Sequence, residues 1–143
     1  VRWPGRVAPG SICDVPVTSP DFYPTLLDIA GQPPRPSQHA DGESFLPLLA
    51  GGRIDRDAIF WHYPHYGNQG GTPGCSVRCG DWQLIRFFED DRLELYDLAG
   101  DIGETTDLAG ERPEVVGELH ARLNDWLGRV RAKMPTPNPE WKD

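Results

Sequence analysis

Apolar positions change their spacing twice along this chain, and the changes divide it into three stretches. Residues 1–18 carry short apolar pieces broken by turn residues: Val1-Arg2-Trp3, Pro4-Gly5, Val7, Pro9-Gly10 and Val15-Pro16-Val17. That pattern predicts the end of one strand, a tight turn and an extended segment. Ser19-Pro20-Asp21 then supplies a helix start, with Asp21 or Ser19 as N-cap and proline where first-turn N–H groups lack partners anyway. Phe22, Leu26, Ile29 and Ala30 form an apolar stripe, and Gly31 ends the helix. Residues 32–42 are polar and proline-rich, which predicts a loop. Ser44 to Leu49 reads as a short apolar turn or helix closed by Gly51-Gly52.

A strand-like regime begins near Ala58. Ile59-Phe60-Trp61, Trp82 to Phe88 and Leu93 to Leu98 are aromatic and β-branched runs of strand length. Glu89-Asp90-Asp91-Arg92 makes a charged hairpin loop, so an antiparallel meander is expected. Residues 62–74, from His62 to Gly74, form a 13-residue loop rich in aromatics, His and Gly. Long loops in compact domains are usually functional or disordered. Pro113 opens a helix in which Val116, Leu119, Leu123, Trp126 or Leu127, and Val130 recur every three or four residues. This stripe should cover one face of the sheet and leave Glu114, Glu118, Arg122 and Arg129 in water. The tail from Pro135 to Asp143, with three prolines, is expected to be irregular.

Composition narrows the function classes. The 143 residues hold 14 Lys and Arg against 22 Asp and Glu, a net charge of −8, which argues against nucleic-acid binding through neutralised phosphates. Sixteen glycines and fifteen prolines, spread without a period, predict many turns. No apolar run approaches the roughly 18 residues that span a bilayer, and nothing near Val1 resembles a signal peptide. The only methionine is Met134, so Val1 is not an initiator, and a fragment, a processed product or an engineered piece is expected.

Candidate chemistry is sparse. His62-x2-His65 followed by Cys75-x3-Cys79 has the residue types of a zinc set, but two residues four apart on one strand lie about 13 Å apart, too far to share an ion or a disulfide. Asp90, Asp91, Asp97, Asp101, Glu104 and Asp107 lack the spacing of a calcium loop and read as a solvated rim. No phosphate-binding glycine loop and no Gly-x-Ser-x-Gly elbow occurs. His62, His65, Tyr66 and Asn68, with Tyr63, remain as a hydrogen-bonding set suited to an anionic or sugar-like ligand. Pro64 interrupts the strand there, so the two imidazoles are expected to be able to line one wall together.

Linked motifs carry a resemblance. Val1-Arg2-Trp3-Pro4-Gly5, Asp14-Val15-Pro16-Val17, the run Asp21 to Gly31, Asp41-Gly42 and Leu46-Pro47-Leu48-Leu49 resemble, in order and spacing, the later part of the arylsulfatase family. Phe60-Trp61-His62-Tyr63-Pro64-His65-Tyr66, Arg78-Cys79-Gly80-Asp81-Trp82, Leu93-Glu94-Leu95-Tyr96-Asp97-Leu98 and Met134-Pro135-Thr136-Pro137 are similar to the C-terminal subdomain of bacterial members.

The resemblance implies an α/β fragment of α+β type: an irregular N-terminal segment with one helix, then a four-stranded antiparallel sheet packed with a C-terminal helix. Residues 1–57 would be the end of the catalytic α/β domain and residues 58–143 the C-terminal subdomain. Formylglycine, made from a Cys-x-Pro-x-Arg or Ser-x-Pro-x-Arg signature, and a calcium ion are implied for the intact enzyme. The signature is missing from these 143 residues. No catalytic residue, metal ligand or cofactor is therefore expected in the chain itself, and it should be inactive alone. The intact protein would hydrolyse sulfate esters of a carbohydrate or an aryl sulfate, in the periplasm or after secretion, with His62, His65, Tyr66 and Asn68 near the substrate. Expected partners are the missing N-terminal catalytic domain and a sulfated small molecule or glycan, with no nucleic acid and no membrane. Self-association through the exposed stripe of the first helix is a further expectation. The competing class is a non-catalytic carbohydrate-binding or structural module.

Overall fold

A computed structural model describes residues 1–68, 70–136 and 138–140. It divides into two compact units, Val1–Arg56 and Asp57–Asp143. The irregular tail expected over 135–143 falls partly on Pro137 and Trp141 to Asp143, and the loop 62–74 includes Gln69; these lie outside the described residues.

In the first unit a single 3₁₀ turn, Ser19–Asp21, leads into α1 (Phe22–Ile29), and α2 (Leu46–Leu49) follows a loop. No strand forms in residues 1–18. The strand end expected at Val1-Arg2-Trp3 is instead a turn, with Arg6 and Val7 both donating to the Trp3 carbonyl, since Pro4-Gly5 bends the chain at once. Asp21, one of the two expected caps, holds the N-cap position of α1, but its side chain makes no cap bond to that helix. It serves the 3₁₀ turn instead, whose N-cap is Thr18: from the third position Asp21 reaches back to accept from the Thr18 backbone N–H at 2.6 Å and its hydroxyl at 3.1 Å, a capping box with Asp in the acidic place.

Asp21 does more than cap. Its side chain is fully buried and receives both arms of Arg56, Nη1 to Oδ2 at 2.7 Å and Nη2 to Oδ1 at 2.5 Å, while the Glu43 N–H donates to Oδ1 at 3.0 Å. Its backbone carbonyl accepts from Thr25 Oγ1, which in turn accepts from the Phe45 N–H. Gly42 passes so close that a Cβ there would stand 2.3 Å from the Pro20 carbonyl oxygen. His39 pins the loop between, taking the Arg35 N–H on Nε2 and therefore donating from Nδ1 to the Gly42 carbonyl.

The second unit is a meander. Strands β1 (Ile59–Tyr63), β2 (Gly74–Cys79), β3 (Trp82–Phe87) and β4 (Leu93–Asp97) pair antiparallel in chain order, and α3 (Pro113–Arg129) packs on one face. The residues explain the turns. Gly80 at φ 59° opens the two-residue turn from β2 to β3, the position where a type II′ hairpin needs glycine. Asp91 takes φ 56° in the β3–β4 loop. Register aligns Val77, Leu84 and Leu95 in one row across three strands, all fully buried beneath Leu119, Leu123 and Leu127 of α3. Phe60 stacks on Trp126 at 5.0 Å. Arg122 was expected in water, but its guanidinium donates to Cys79 Sγ at 3.2 Å and pairs with Asp57.

The acidic residues after β4 serve the backbone. Asp101 accepts from the N–H groups of Thr105 and Thr106, and those bonds, the Thr106 one foremost, hold its carboxyl below the usual range. Asp107 accepts from the N–H of Leu95 on edge strand β4 and from that of Ala109, and the Leu108 N–H donates to the Leu95 carbonyl. A turn-rich segment thus satisfies its own donors and closes one sheet edge.

All three α-helices end alike. After α1, Gly31 donates to the Asp28 carbonyl and Gln32 to that of Leu27; after α2, Gly51 donates to Leu48 and Gly52 to Pro47; after α3, Arg131 donates to Gly128 and Ala132 to Leu127. This is the Schellman pairing. Gly31 and Gly51 sit at φ 64° and 74°, whereas α3 puts Arg131 there at φ 51°. A side chain in that conformation costs about 1 kcal/mol, so Arg131→Gly is expected to raise the melting temperature by several degrees, checked by thermal unfolding.

Acid should act on Asp21. Burial alone would raise its pKa, but the Arg56 hydrogen bonds, followed by the Glu43 and Thr18 N–H groups, more than offset this and hold it at about 2, against 3.8 for a free carboxyl. Because the folded value is depressed, the stabilisation is complete above about pH 4 and is lost as pH falls toward 2, on the order of 2 kcal/mol in all. Arg56→Ala strands the buried carboxylate and should cost roughly 3–5 kcal/mol. Urea unfolding at pH 7 and pH 3 checks both: the wild type should lose stability between them, and the variant should lose less.

Candidate functional site

The loop from 64 to 73 leaves β1 at Pro64 and returns at Pro73, whose carbonyl accepts from the Phe88 N–H at 3.0 Å. Within it the Gly67 N–H donates to the Gly71 carbonyl at 2.9 Å, and Gly70, at φ 96°, donates back to Gly67. A Cβ on Gly67 would lie 3.3 Å from the Gly71 nitrogen, so the closure depends on bare backbone. Asn68 stands at the exposed tip of this closed turn.

His62 is set apart from the other three candidate side chains. β1 extends through Tyr63, two residues beyond the expected end, so His62 is a strand residue opposite Cys75. It lies on the α3 face with Phe60. Its Nε2 donates to the Lys133 carbonyl at 2.9 Å, its ring meets Phe88 edge-on at 5.5 Å, and its Nδ1 is buried without a partner. His65 packs edge-on against Tyr63 at 5.5 Å, and Tyr63 points to the opposite face because strand side chains alternate. The two imidazoles therefore do not share a wall, contrary to expectation: pairing with β2 carries regular strand geometry past His62, and Pro64 acts only after Tyr63.

Tyr66 is exposed and donates from its phenol to Glu89 Oε1 at 2.6 Å, tying the loop to the β3–β4 hairpin. That bond, more than burial or simple charge, moves the phenol pKa up. Glu89 belongs to this set, and only its place in the hairpin loop marked it beforehand. A carboxylate beside Tyr66 favours ligand hydroxyls and disfavours sulfate oxygens.

The two thiols of β2 are structural. Cys75, Val77 and Cys79 share the core face of β2; Cys75 is buried, which pushes its thiol up to about 11, and Cys79 accepts from Arg122. Among the described residues no group of three or more His, Cys, Asp or Glu could hold a metal ion. The residues present thus do not fit the calcium or the formylglycine of the arylsulfatase family.

Comparison with known proteins agrees with the resemblance seen in the motifs. Residues 1–133 match the family model for N-sulphoglucosamine sulphohydrolase, C-terminal. A sulfatase of Formosa agariphila is 34% identical over 151 residues, covering 94% of this chain and 27% of its own length. Arylsulfatase K of Mus musculus is 32% identical over 138 residues, covering 85% of this chain and 24% of its own. A solved structure of a protein in complex with its substrate, D-glucosamine-2-N,6-O-disulfate, is 29% identical, covers 80% of this chain and 24% of its own, and superposes with a TM-score of 0.67. The chain belongs to the C-terminal domain family of the N-sulphoglucosamine sulphohydrolases, within the sulfatases. It spans about a quarter of the length of the curated relatives it matches. The family implies calcium and formylglycine in the intact enzyme, together with an N-terminal catalytic domain.

His62 reads from its contacts as a clamp between β1 and the segment after α3. His62→Ala is expected to cost roughly 1–3 kcal/mol by orphaning the Lys133 carbonyl and opening space beside Phe88, whereas His65→Ala should stay within about 0.5 kcal/mol. Denaturant titration of both variants checks the contrast.

Proposed function

We propose that the chain is the C-terminal portion of a sulfatase that hydrolyses sulfate esters of a sulfated carbohydrate, with the loop 64–73 contacting sugar hydroxyls at the rim of the substrate pocket. The observation that carries this reading is the family match over residues 1–133, set beside a 29% identical structure whose substrate is a sulfated glucosamine. His65 and the Asn68 amide are free to bond hydroxyls, Tyr66 offers a ring face, and Glu89 can accept a sugar O–H. His62 positions the strand from which the loop departs. The catalytic nucleophile and metal belong to sequence other than these 143 residues, so the chain alone would not turn over a sulfate ester.

On the same reading, residues 1–57 end the catalytic domain and residues 58–143 form the subdomain. What supports this is the first unit's scant apolar core: Phe45 and Leu48 are buried, while Phe22, Leu26 and Ile29 on α1 remain exposed at 53%, 61% and 41%. Such a face calls for a cover, and in isolation it would favour self-association. A periplasmic or secreted setting is part of the proposal by family. No helix among the described residues is long and apolar enough to cross a membrane.

The test uses a longer polypeptide in which these residues follow a catalytic domain bearing the formylglycine signature. His65→Ala and Asn68→Ala should each lower kcat/KM on a sulfated oligosaccharide roughly tenfold, about 1.4 kcal/mol, with the melting temperature unchanged. On a chromogenic aryl sulfate, which offers no sugar hydroxyls, both should match wild type. Equal losses on the two substrates, or none on either, would refute the sugar contact. Turnover by the 143-residue chain alone would overturn the assignment of the chemistry to the missing part.

A further inference from the structure

The loop 64–73 and the β3–β4 hairpin meet at one bond, and that bond brings one charge. The ten residues from Pro64 to Pro73 include no Lys, Arg, Asp or Glu. Glu89, exposed on the hairpin, supplies the charge and accepts from the Tyr66 phenol. The cations nearby in sequence are already answered. Arg86 donates to Asp91 from both Nε and Nη2, at 3.1 and 2.6 Å, and from Nη1 to Asn124 Oδ1. Arg92 lies 4.0 Å over the Phe87 ring and pairs with Asp90 and Glu94. Among the described residues no cation pairs with Glu89.

Recognition of a sulfate or a carboxylate at this place would call for arginine, lysine or a set of free N–H groups. The loop has no such side chain. Gly67 donates to the Gly71 carbonyl and Gly70 to that of Gly67, so two of its glycine N–H groups are spent in closing the turn. What the loop presents is uncharged hydrogen-bonding and apolar surface. Tyr66 is exposed at 69%, and its ring is held in place because its hydroxyl is tied to Glu89. Asn68 and His65 stand exposed on the same short loop. The ring suits the apolar side of a sugar, and the amide and imidazole suit its hydroxyls. The carboxylate accepts an O–H and repels an anion.

We infer that the loop 64–73 and Glu89 form a subsite for an uncharged sugar unit next to the one that carries the scissile sulfate, and that Glu89 selects against a second sulfate on that unit; the inference rests on the sulfatase reading above. Two features make charge, rather than shape, the basis of selection. Tyr66, Asn68 and Glu89 are all exposed, so a bulky sulfate meets no steric bar there. Residues 61–110 hold 3 basic against 9 acidic side chains, so no positive field from this stretch offsets the Glu89 carboxylate. Binding of the scissile sulfate falls to sequence other than these 143 residues. The present chain adds the discrimination between a neighbour that bears hydroxyls and one that bears a further anion. Tyr66 is a positioning residue in this arrangement, since it holds the loop against the charge.

The experiment uses the longer polypeptide with its catalytic domain and two disaccharides, one with a single sulfate ester and one with a second sulfate on the neighbouring unit. Release of the sulfate that both share is followed. Wild type should favour the monosulfated disaccharide in kcat/KM by roughly five- to tenfold at low salt, and by less at high salt, where exposed charges are screened. Glu89→Gln keeps an oxygen for the Tyr66 hydroxyl and removes the charge, so the ratio should close to within about twofold. Glu89→Lys should carry the preference across to the disulfated disaccharide. Tyr66→Phe removes the tie and leaves the charge, so it should lower kcat/KM on both substrates alike and keep the ratio. A wild type indifferent to the second sulfate, or a ratio unmoved by Glu89→Gln, overturns the inference. So does a ratio that Tyr66→Phe closes as fully as Glu89→Gln, because loop placement would then account for the preference. Hydrolysis of neither disaccharide by wild type overturns the sulfatase reading and the subsite with it, whereas hydrolysis of both without a role for Glu89 overturns the subsite alone.

Discussion

A charged pair sealed from water governs the first fifty-six residues, and it does so through what it forbids. Asp21 at zero exposure needs every acceptor site answered, and the answers come from Thr18, Glu43 and Arg56, residues 3, 22 and 35 positions away. Those bonds fix the entry to α1, the end of the long loop and the last residue of the unit in one place. Hydrophobic burial could not do this, because Phe45 and Leu48 are the only large apolar side chains the unit buries. A carboxylate left without any of these partners would be more costly than the unfolded alternative, so the unit is specified by polar satisfaction and has little apolar stabilisation to fall back on.

The second unit follows the ordinary logic of a sheet and helix. Its row of Val77, Leu84 and Leu95 meets the leucine stripe of α3, and the remaining polar groups are met locally by aspartates at turns. The acids of the two units thus have opposite physics: Asp21 is fully buried and shared over separations of up to 35 residues, whereas Asp101 and Asp107 serve backbone groups no more than 12 residues away.

What the sequence made legible follows from that difference. Aromatic and β-branched runs announced three of the four strands, and spacing of three and four announced α3, with Pro113 marking its start. Gly31 and Gly51 announced two helix ends, because only glycine enters the left-handed region cheaply. The third end was not marked, since Arg131 occupies it at a cost that no pattern displays. Asp21 was read as a cap by its neighbours in sequence, but its tie to Arg56 spans 35 residues and leaves no periodic trace. At the candidate site the residue types were visible and their grouping was not. His62 and His65 look paired at a spacing of three, yet whether they share a wall depends on where β1 stops, and that is decided by pairing with β2 rather than by Pro64.

The order of the strands in space has a kinetic side. Because β1 to β4 pair strictly in chain order, each pairing after the first loop closes only a short span, and the two-residue turn at Gly80-Asp81 gives a natural point from which the meander can zip. Loop-closure entropy is then small at every step, and contact order stays low for a β structure. The helix comes later in sequence and brings the cover for Val77, Leu84 and Leu95, so the sheet can form while its leucine-rich row is still bare. A meander in that state would expose an apolar face, and its yield on refolding would depend on how soon α3 arrives relative to the next collision with another chain.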